Sequence, residues 1–277
     1  MFRPSEGNWF ALDSFDLIYR PENSFRAVQF GGGSDKIVPA DYDGDGRTDR
    51  AVYRNGTWII LQSSNNTVRY AQFGVGEDLP RPGDFNGDGY ADLAVWRPSN
   101  GYWYVLYSNP VQPGNVTFAA LQFGQSGDVP MISNYDGDGK TDFAVWRPSN
   151  GAWYIVRSTD NQVQAAQFGQ PGDIPINGDF NGDSKSDLTV YRPSNGYWYI
   201  ARQQTDGAAQ NFDSIQFGVS TDTPVAADYD NDGKTDIAVY RGSVGDWYML
   251  QSGNNFAFTA RNFGLSIDKP IPAAYLP

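Results

Sequence analysis

The chain has 277 residues, with 32 acidic against 20 basic residues and a formal net charge of −12. Nucleic acid is therefore not an expected partner, because phosphate binding requires clustered positive charge. The chain contains no cysteine and no histidine, which excludes disulfides, thiolate or imidazole metal ligands, and catalysis by either side chain. No apolar run in the sequence approaches the roughly 18 residues that a membrane-spanning helix needs.

Three sequence markers recur along the chain with a shared period. The first is a Phe-Gly dipeptide, spaced by 43, 50, 45, 49 and 46 residues, at Phe30, Phe73, Phe123, Phe168, Phe217 and Phe263. The second is a tryptophan in constant phase, at Trp9, Trp58, Trp103, Trp153, Trp198 and Trp247. The third is an Asp-rich nonapeptide, which begins at Asp41, Asp84, Asn134, Asp179 and Asp228. A shared period of about 40–50 residues indicates a repeat protein.

Each repeat predicts four short strands. In the third repeat these cover residues 129–132, 143–146, 153–156 and 164–168, with the acidic nonapeptide between the first two. No segment has a sustained helical period, and four-stranded units packed face to face around an axis form a β-propeller. A proline in each first strand suits an edge strand, which can forgo one ladder hydrogen bond. We therefore place this strand innermost, around the channel.

The two ends of the chain predict closure of the ring. Residues 2–9 match residues 96–103, whereas residues 271–275 supply only a first strand. Pairing the N-terminal strands with the C-terminal strand in one blade would protect edges that are otherwise open. We predict an all-β, six-bladed β-propeller of four-stranded antiparallel blades. Residues 1–277 would form a single domain, and residues 1–30 and 268–277 would share the last blade.

The acidic nonapeptides place oxygen donors at positions 1, 3, 5 and 9, with a backbone carbonyl expected at position 7. Hard oxygen ligands in a flexible loop favour Ca²⁺ over Mg²⁺. The candidate ligands are Asp41, Asp43, Asp45, Arg47, Asp49, Asp84, Asn86, Asp88, Tyr90, Asp92, Asn134, Asp136, Asp138, Lys140, Asp142, Asp179, Asn181, Asp183, Lys185, Asp187, Asp228, Asp230, Asp232, Lys234 and Asp236. An EF-hand would need a glutamate at position 12. Valine occupies that position in every loop, at Val52, Val95, Val145, Val190 and Val239, so EF-hands are excluded.

The alternative interpretation of these loops is that Asp, Asn and Gly simply form turns. Without a cation, three or four carboxylates would share one turn, and like charges about 4 Å apart repel by roughly 1 kcal/mol in water. We therefore predict about five Ca²⁺ ions, one per loop, whose charge of +10 would bring the net charge from −12 to about −2. The loop at 179–187 is expected to bind most weakly. There Ser184 replaces the glycine expected at a left-handed sixth position, and Asn181 replaces a charged ligand.

The Phe-Gly dipeptides and the Asp-x-Asp/Asn-x-Asp-Gly-x-x-Asp loops resemble the FG-GAP/VCBS-type repeats, which also occur in the headpiece of integrin α subunits. The matching parts extend from about residue 25 to residue 275. The resemblance implies a calcium-binding β-propeller, usually extracellular, that binds proteins or glycans. Integrin heads usually have seven blades, whereas this chain supports six, and the shared blade lacks an acidic loop.

Two more sets of residues recur in each repeat. Arginines end the second strand, at Arg3, Arg54, Arg97, Arg147, Arg192 and Arg241. Aspartates follow each Phe-Gly, at Asp35, Asp78, Asp128, Asp173, Asp222 and Asp268. Strand alternation puts both on the face opposite the acidic loops. They form either six bidentate pairs that tie blade to blade or a ring of ligand-binding arginines.

The recurrent tryptophans are expected in the core between blades. Beside them, Tyr102 and Tyr197 follow a Ser-Asn-Gly turn, where they either pack on the hairpin or stack on sugar rings.

The leading hypothesis for function is a calcium-stabilised binding or adhesion module. It would recognise a protein or glycan through inter-strand loops, the longest being residues 108–116 and 203–212. The alternatives are a lectin with sugar pockets repeated between blades, and a polysaccharide-active hydrolase or lyase. Hydrolysis would need two unpaired carboxylates in one cleft, and the sequence offers no such pair, so we expect no enzymatic activity.

Weak calcium sites would stay largely empty in the cytosol, so we expect an extracellular or cell-surface location. No signal peptide is recognisable, which favours an excised domain or mature fragment.

Overall fold

The fold is built almost entirely from short antiparallel strands. The computed structural model describes residues 1–12, 25–108, 118–201 and 211–271. Within these ranges the only helical element is a single 3-10 turn at Ser252–Asn254. The predicted inter-strand loops at 108–116 and 203–212 lie almost wholly outside the described residues, and so does most of the predicted C-terminal strand.

The described strands fall into six sheets. The first sheet contains β1 (Phe2–Arg3), β2 (Asn8–Leu12) and β3 (Phe25–Gln29). The next two sheets contain β4 (Lys36–Ile37), β5 (Arg50–Arg54), β6 (Thr57–Leu61), β7 (Val68–Gln72), and β8 (Leu79–Pro80), β9 (Leu93–Arg97), β10 (Tyr102–Leu106), β11 (Phe118–Gln122). The fourth and fifth contain β12 (Val129–Ser133), β13 (Asp142–Arg147), β14 (Ala152–Val156), β15 (Val163–Gln167), and β16 (Ile174–Ile176), β17 (Leu188–Arg192), β18 (Tyr197–Ala201), β19 (Phe212–Gln216). The last contains β20 (Thr223–Pro224), β21 (Ile237–Arg241), β22 (Asp246–Gln251) and β23 (Ala257–Asn262).

These sheets are the blades of a six-bladed β-propeller, as predicted. Blades 1 to 5 are β4–β7, β8–β11, β12–β15, β16–β19 and β20–β23, and blade 6 contains β1–β3. Strands in each blade pair in sequence order, so every first strand is an edge strand. This explains why β8, β12, β16 and β20 can each contain a proline. At the opposite edge, the fourth strand exposes every second residue in blades 1, 2 and 3.

The hydrophobic core lies between neighbouring blades. The recurrent tryptophans are buried, as predicted, and Trp58, Trp103, Trp153 and Trp198 have no exposed surface. In five blades the indole N–H of this tryptophan donates to the carbonyl oxygen of the Phe in the next Phe-Gly dipeptide, at 2.7–3.0 Å. Two of the recurrent sequence markers are therefore joined by one hydrogen bond.

The glycine of each Phe-Gly dipeptide fits the close contact between blades. Gly124 has φ +112°, in the region that favours glycine, and a methyl group there would lie 3.1 Å from Val145 Cγ1 in the next blade. A methyl group added at Gly169 would likewise lie 3.3 Å from Val190 Cγ1 in the next blade. The valine at position 12 of the acidic loops is therefore the residue against which the preceding blade packs.

The N-terminal strands lie between blades 5 and 1. Phe2 and Trp9 pack with Val52 of blade 1, while Phe10 packs in the cluster of Tyr240 and Trp247 from blade 5. The Phe2 N–H donates to the Lys269 carbonyl at 2.9 Å, and the Lys269 N–H returns a bond of 2.8 Å. The N-terminal strands therefore contact the chain after blade 5. The C-terminal strand at residues 271–275, which would complete blade 6 as its innermost strand, remains a prediction.

Candidate metal centres

The acidic nonapeptides all lie at one end of the sheets, between the first and second strands of blades 1 to 5. We call them loop 1 (residues 41–49), loop 2 (84–92), loop 3 (134–142), loop 4 (179–187) and loop 5 (228–236). Position 9 of each loop is buried: Asp49, Asp92, Asp142, Asp187 and Asp236 have no exposed surface. Each of these carboxylates accepts a backbone N–H from position 2, at 2.6–2.9 Å.

Backbone donors also hold position 1. In loop 1, Asp41 Oδ1 accepts from the Gly44 N–H at 2.7 Å and Oδ2 accepts from the Gly46 N–H at 2.8 Å. These contacts need a left-handed backbone at position 6, where φ is +78° for Gly46. Ser184 of loop 4 adopts the same region with φ +67°, as its place in the sequence predicted, at a steric cost that glycine avoids.

In four of the blades, a serine after the third strand contacts the acidic loop of the same blade. Our sequence interpretation missed this serine. The backbone N–H groups of Ser63, Ser108, Ser158 and Ser252 each donate to Oδ1 of position 9, at 2.6–2.7 Å. Each of these serines follows a recurrent tryptophan by five residues, so the signal was present as a fourth periodic marker. The third-strand hairpin therefore helps to orient the deepest carboxylate of these four loops.

Loops 1 and 5 bring three carboxylates together. In loop 1, oxygens of Asp41, Asp43 and Asp49 lie within 4.8 Å of one another, and in loop 5 the same is true of Asp228, Asp230 and Asp236. Oδ1 of both Asp43 and Asp230 is buried without a hydrogen-bond partner. Burial, with neighbouring carboxylates, raises the pKa of Asp230 above its usual value. A buried carboxylate oxygen that accepts no hydrogen bond can instead be a ligand of a cation. The oxygen ligands of loops 1 and 5 and their close spacing therefore suit calcium.

Loops 2 and 4 differ because position 3 is an asparagine. The Asn86 amide donates to Asp88 Oδ2 at 3.0 Å, and the Asn181 amide donates to Asp187 Oδ1 at 2.9 Å. Each of these amide N–H groups partly compensates the negative charge of a carboxylate in its own loop. In loop 3 the asparagine is at position 1. Among the described residues, three carboxylates converge only in loops 1 and 5, so binding at loops 2, 3 and 4 remains a prediction.

The position 7 residues, predicted as carbonyl ligands, orient position 5. The backbone N–H groups of Arg47, Tyr90, Lys140, Lys185 and Lys234 donate to the carboxylates of Asp45, Asp88, Asp138, Asp183 and Asp232, at 2.8–3.0 Å. All five loops therefore fold alike around positions 5 to 7, whatever occupies position 3.

Without calcium, we expect the free energy of unfolding to fall as pH rises from about 5 to about 7. Burial raises the pKa of Asp92 from 3.8 to about 7, so in this range the folded protein keeps a proton that the unfolded chain has lost. Stability then decreases by up to about 1.4 kcal/mol per pH unit. Urea unfolding in EGTA at several pH values measures this slope. The D92N variant should have a flatter slope, and equal slopes for the two proteins would contradict the assignment.

At the opposite end of the second strands, the recurrent arginines and aspartates form bidentate pairs. Arg Nε and Nη2 donate to the two carboxylate oxygens at 2.7–3.0 Å in all six pairs, Arg3–Asp268, Arg54–Asp35, Arg97–Asp78, Arg147–Asp128, Arg192–Asp173 and Arg241–Asp222. Each aspartate also accepts a backbone N–H three residues before it, as in the bond from Gln125 to Asp128. The pairs thus fasten the connector entering each blade, which is a structural role, although they do not bridge two sheets directly.

The aromatic residues next to the tryptophans pack on the hairpin. Tyr102 stacks on Tyr104 at 5.8 Å, and Tyr197 stacks on Tyr199 at 6.0 Å. Hairpin packing, one of the two interpretations left open, therefore describes both residues. None of the described segments forms a long, apolar helix of the kind that crosses a bilayer.

Six blades with repeated acidic loops define the class of protein: a β-propeller with candidate cation sites at one end. Residues 179–239 match the FG-GAP-like repeat family, and residues 81–116 match the FG-GAP repeat family. The chain is therefore a six-bladed β-propeller in which two segments match FG-GAP-type repeats. No curated protein has significant sequence similarity to it.

Similar solved structures include a lectin of Agrocybe aegerita, described as specifically recognising non-reducing terminal N-acetylglucosamine. It has 15% identity and a TM-score of 0.58, and the match covers 86% of this chain and 71% of the lectin. The β-propeller domain of Myceliophteria thermophila Cps50 (Swd1) has 9% identity and a TM-score of 0.56, with coverage of 94% and 84%. At these identities the similarity shows the fold alone.

Proposed function

We propose that the chain is a calcium-stabilised binding module with no catalytic role. The observation that carries the proposal is the pair of three-carboxylate clusters in loops 1 and 5, each with a buried, unpartnered carboxylate oxygen. Bound Ca²⁺ supplies positive charge that compensates these carboxylates and fixes the loop. The residues that would hold it are those at positions 1, 3, 5 and 9, which are already oriented by backbone N–H groups.

Calorimetric titration of the calcium-free protein with CaCl₂ tests the metal part. We expect binding, and we expect D43N and D230N each to remove or weaken one site, because the substitution exchanges the orphaned oxygen's carboxylate for a neutral amide. D160N is the matched control, since Asp160 is an exposed carboxylate paired with Arg157 outside the acidic loops. A wild-type protein that takes up no calcium at millimolar concentration would refute the proposal.

A non-catalytic role is supported by how the acidic residues are used. Every buried aspartate among the described residues belongs either to an acidic loop or to one of the six arginine pairs. Glycoside hydrolysis would need a further pair of carboxylates about 5–9 Å apart in a cleft.

We place the module outside the cell or on its surface. Calcium sites of extracellular type bind at about 10⁻⁴–10⁻³ M, so they fill where calcium is millimolar. The partner would be a protein or a glycan.

A glycan is the second candidate ligand, and a repeated aromatic arrangement favours it. The Arg97 guanidinium lies 4.6 Å over the Tyr104 ring, which stacks on Phe118 at 6.3 Å. A similar arrangement recurs in blades 4, 5 and 6, where the Tyr199 and Phe212 rings of blade 4 are tilted rather than stacked. The sets are Arg192–Tyr199–Phe212, Arg241–Tyr248–Phe258 and Arg3–Phe10–Phe25. The outermost ring is more than half exposed in all four blades. Exposed aromatic faces with a polar group nearby suit sugar rings, and the similar lectin fold is consistent with this use.

A glycan array probed in calcium and in EGTA tests this candidate. If the outer rings contact sugar, F118A and F212A should each lower the binding signal several-fold. V163A is the matched control, because Val163 occupies the same strand position in blade 3 and is equally exposed. No bound glycan would leave a protein as the ligand of the module. Equal losses in all three variants would contradict sugar contact through the outer rings.

A further inference from the structure

The five acidic loops are physically connected to one another. The backbone N–H of position 8 in one loop donates to the backbone carbonyl of position 1 in the loop of the preceding blade. The four bonds, at 2.7–2.8 Å, are Ala91 to Asp41, Thr141 to Asp84, Ser186 to Asn134, and Thr235 to Asp179. They run in one direction around the propeller, from loop 5 back to loop 1.

The two residues joined by each bond are close to the candidate ligands of two different sites. The acceptor belongs to position 1, whose side chain is a ligand of its own loop. The donor lies between position 7, a predicted carbonyl ligand, and position 9, the buried carboxylate. Movement of position 1 in loop 2, for example, therefore acts directly on the segment Lys140–Asp142 of loop 3.

A second contact follows the same direction. The side chain at position 7 lies over the position 4 glycine of the preceding loop. A methyl group added at Gly137 would lie 2.8 Å from Lys185 Cε, and one at Gly182 would lie 2.9 Å from Lys234 Cε. Both glycines also have a left-handed backbone, with φ +85° and +82°. Position 4 of loop 5 is instead Asn231, and the described part of blade 6 supplies no loop to cover it.

We infer that the loops bind calcium as one coupled series, in which occupation of one loop raises the calcium affinity of its neighbours. This inference rests on the calcium sites proposed above. Calcium binding at each site includes the free-energy cost of ordering that loop. The hydrogen bond and the covering side chain transmit part of the order to the next loop. Because the next loop is then already partly ordered, calcium binds there at a lower free-energy cost, which is positive cooperativity.

Electrostatics alone predicts the opposite sign. Loop 3 contains three aspartates and Lys140, so with calcium bound its net charge is 0. The D138N loop without calcium has a net charge of −1. Because it is more negative, it would attract calcium to loops 2 and 4 at least as strongly as wild-type loop 3 does. Mechanical coupling instead predicts that D138N weakens those neighbours. The direction of the change therefore separates the two mechanisms.

The experiment uses the full chain labelled with ¹⁵N-glycine and titrated with calcium by NMR. The loop glycines give separate reporters: Gly46 for loop 1, Gly89 for loop 2, Gly139 for loop 3, Gly182 for loop 4 and Gly233 for loop 5. In the wild type we expect these resonances to shift over one narrow calcium range, with a Hill coefficient above 1, despite the different ligand sets. This measurement requires no variant.

In D138N we expect the calcium affinities of loops 2 and 4 to fall by about fivefold or more, with a smaller change at loops 1 and 5. D160N is again the control, because it removes a nearby negative charge without touching a loop. Independent midpoints in the wild type, or unchanged or tighter binding at loops 2 and 4 in D138N, would overturn the coupling while leaving calcium binding intact. A wild-type protein that binds no calcium would refute both.

Discussion

Removal of calcium is expected to lower the melting temperature by well over ten degrees. A site that binds calcium only when folded adds about 1.4 kcal/mol at a tenfold excess over its dissociation constant, so five sites would add about 7 kcal/mol. That is comparable with the roughly 5–15 kcal/mol of a whole domain. For a chain of this size, each kcal/mol changes the melting temperature by about 2–4 °C. Thermal unfolding in about 10 mM CaCl₂ and in EGTA measures the difference.

The size of the change in melting temperature also indicates how many loops bind calcium. If only loops 1 and 5 bind, the same arithmetic gives a shift of about 6–11 °C, against about 14–28 °C for five loops. Variant D43N/D230N should abolish most of a two-site shift but only part of a five-site shift. Excess Mg²⁺ is the ionic control, because it keeps its hydration water and suits an octahedral site. An identical melting temperature in calcium and EGTA would refute calcium stabilisation.

The architecture could be predicted from the sequence because each structural signal recurs in several repeats. Proline marks the edge strand, and valine at position 12 marks the strand against which the preceding blade packs. The predicted strands of the third repeat agree with β12 to β15 within one residue at each end. Six tryptophans in phase identified the core. Local chemistry and global packing agree at these positions, which is what makes a fold readable from sequence.

The contacts made across loops and blades could not be predicted in the same way. The bond from the Ser63 N–H to Asp49 depends on how a hairpin folds over the loop, and the bond from Thr141 to Asp84 depends on the spacing between blades. Backbone donors as such carry no residue signature, because every residue except proline has one. The periodic serines marked the positions in the sequence but not the bonds that their backbone N–H groups form. The sequence predicted the weakest binding at loop 4, from Ser184 and Asn181, but not the amide bonds of Asn86 and Asn181 that separate loops 2 and 4 from loops 1 and 5.

Loss of a recurrent arginine is expected to destabilise the protein strongly. The Asp128 side chain is 1% exposed and accepts two bonds from Arg147, at 2.8 and 2.9 Å. These hydrogen bonds raise the pKa of Arg147 above its usual value, so the guanidinium stays charged at any ordinary pH. In R147A the carboxylate would remain buried without its counter-ion, which typically costs about 3–5 kcal/mol. Urea unfolding in saturating calcium measures the loss without disturbing the loops.

R157A is the matched control in the same blade. Arg157 pairs with Asp160 at 2.6 Å, but the two side chains are 37% and 44% exposed, and such surface pairs contribute about 0–1 kcal/mol. A second comparison isolates the buried charge: R147M/D128L removes both partners, so it should recover part of the stability lost in R147A, because no unpaired carboxylate remains. If R147A lost no more stability than R157A, the arginine would be free to serve a ligand. The ring of six arginines would then regain its functional interpretation.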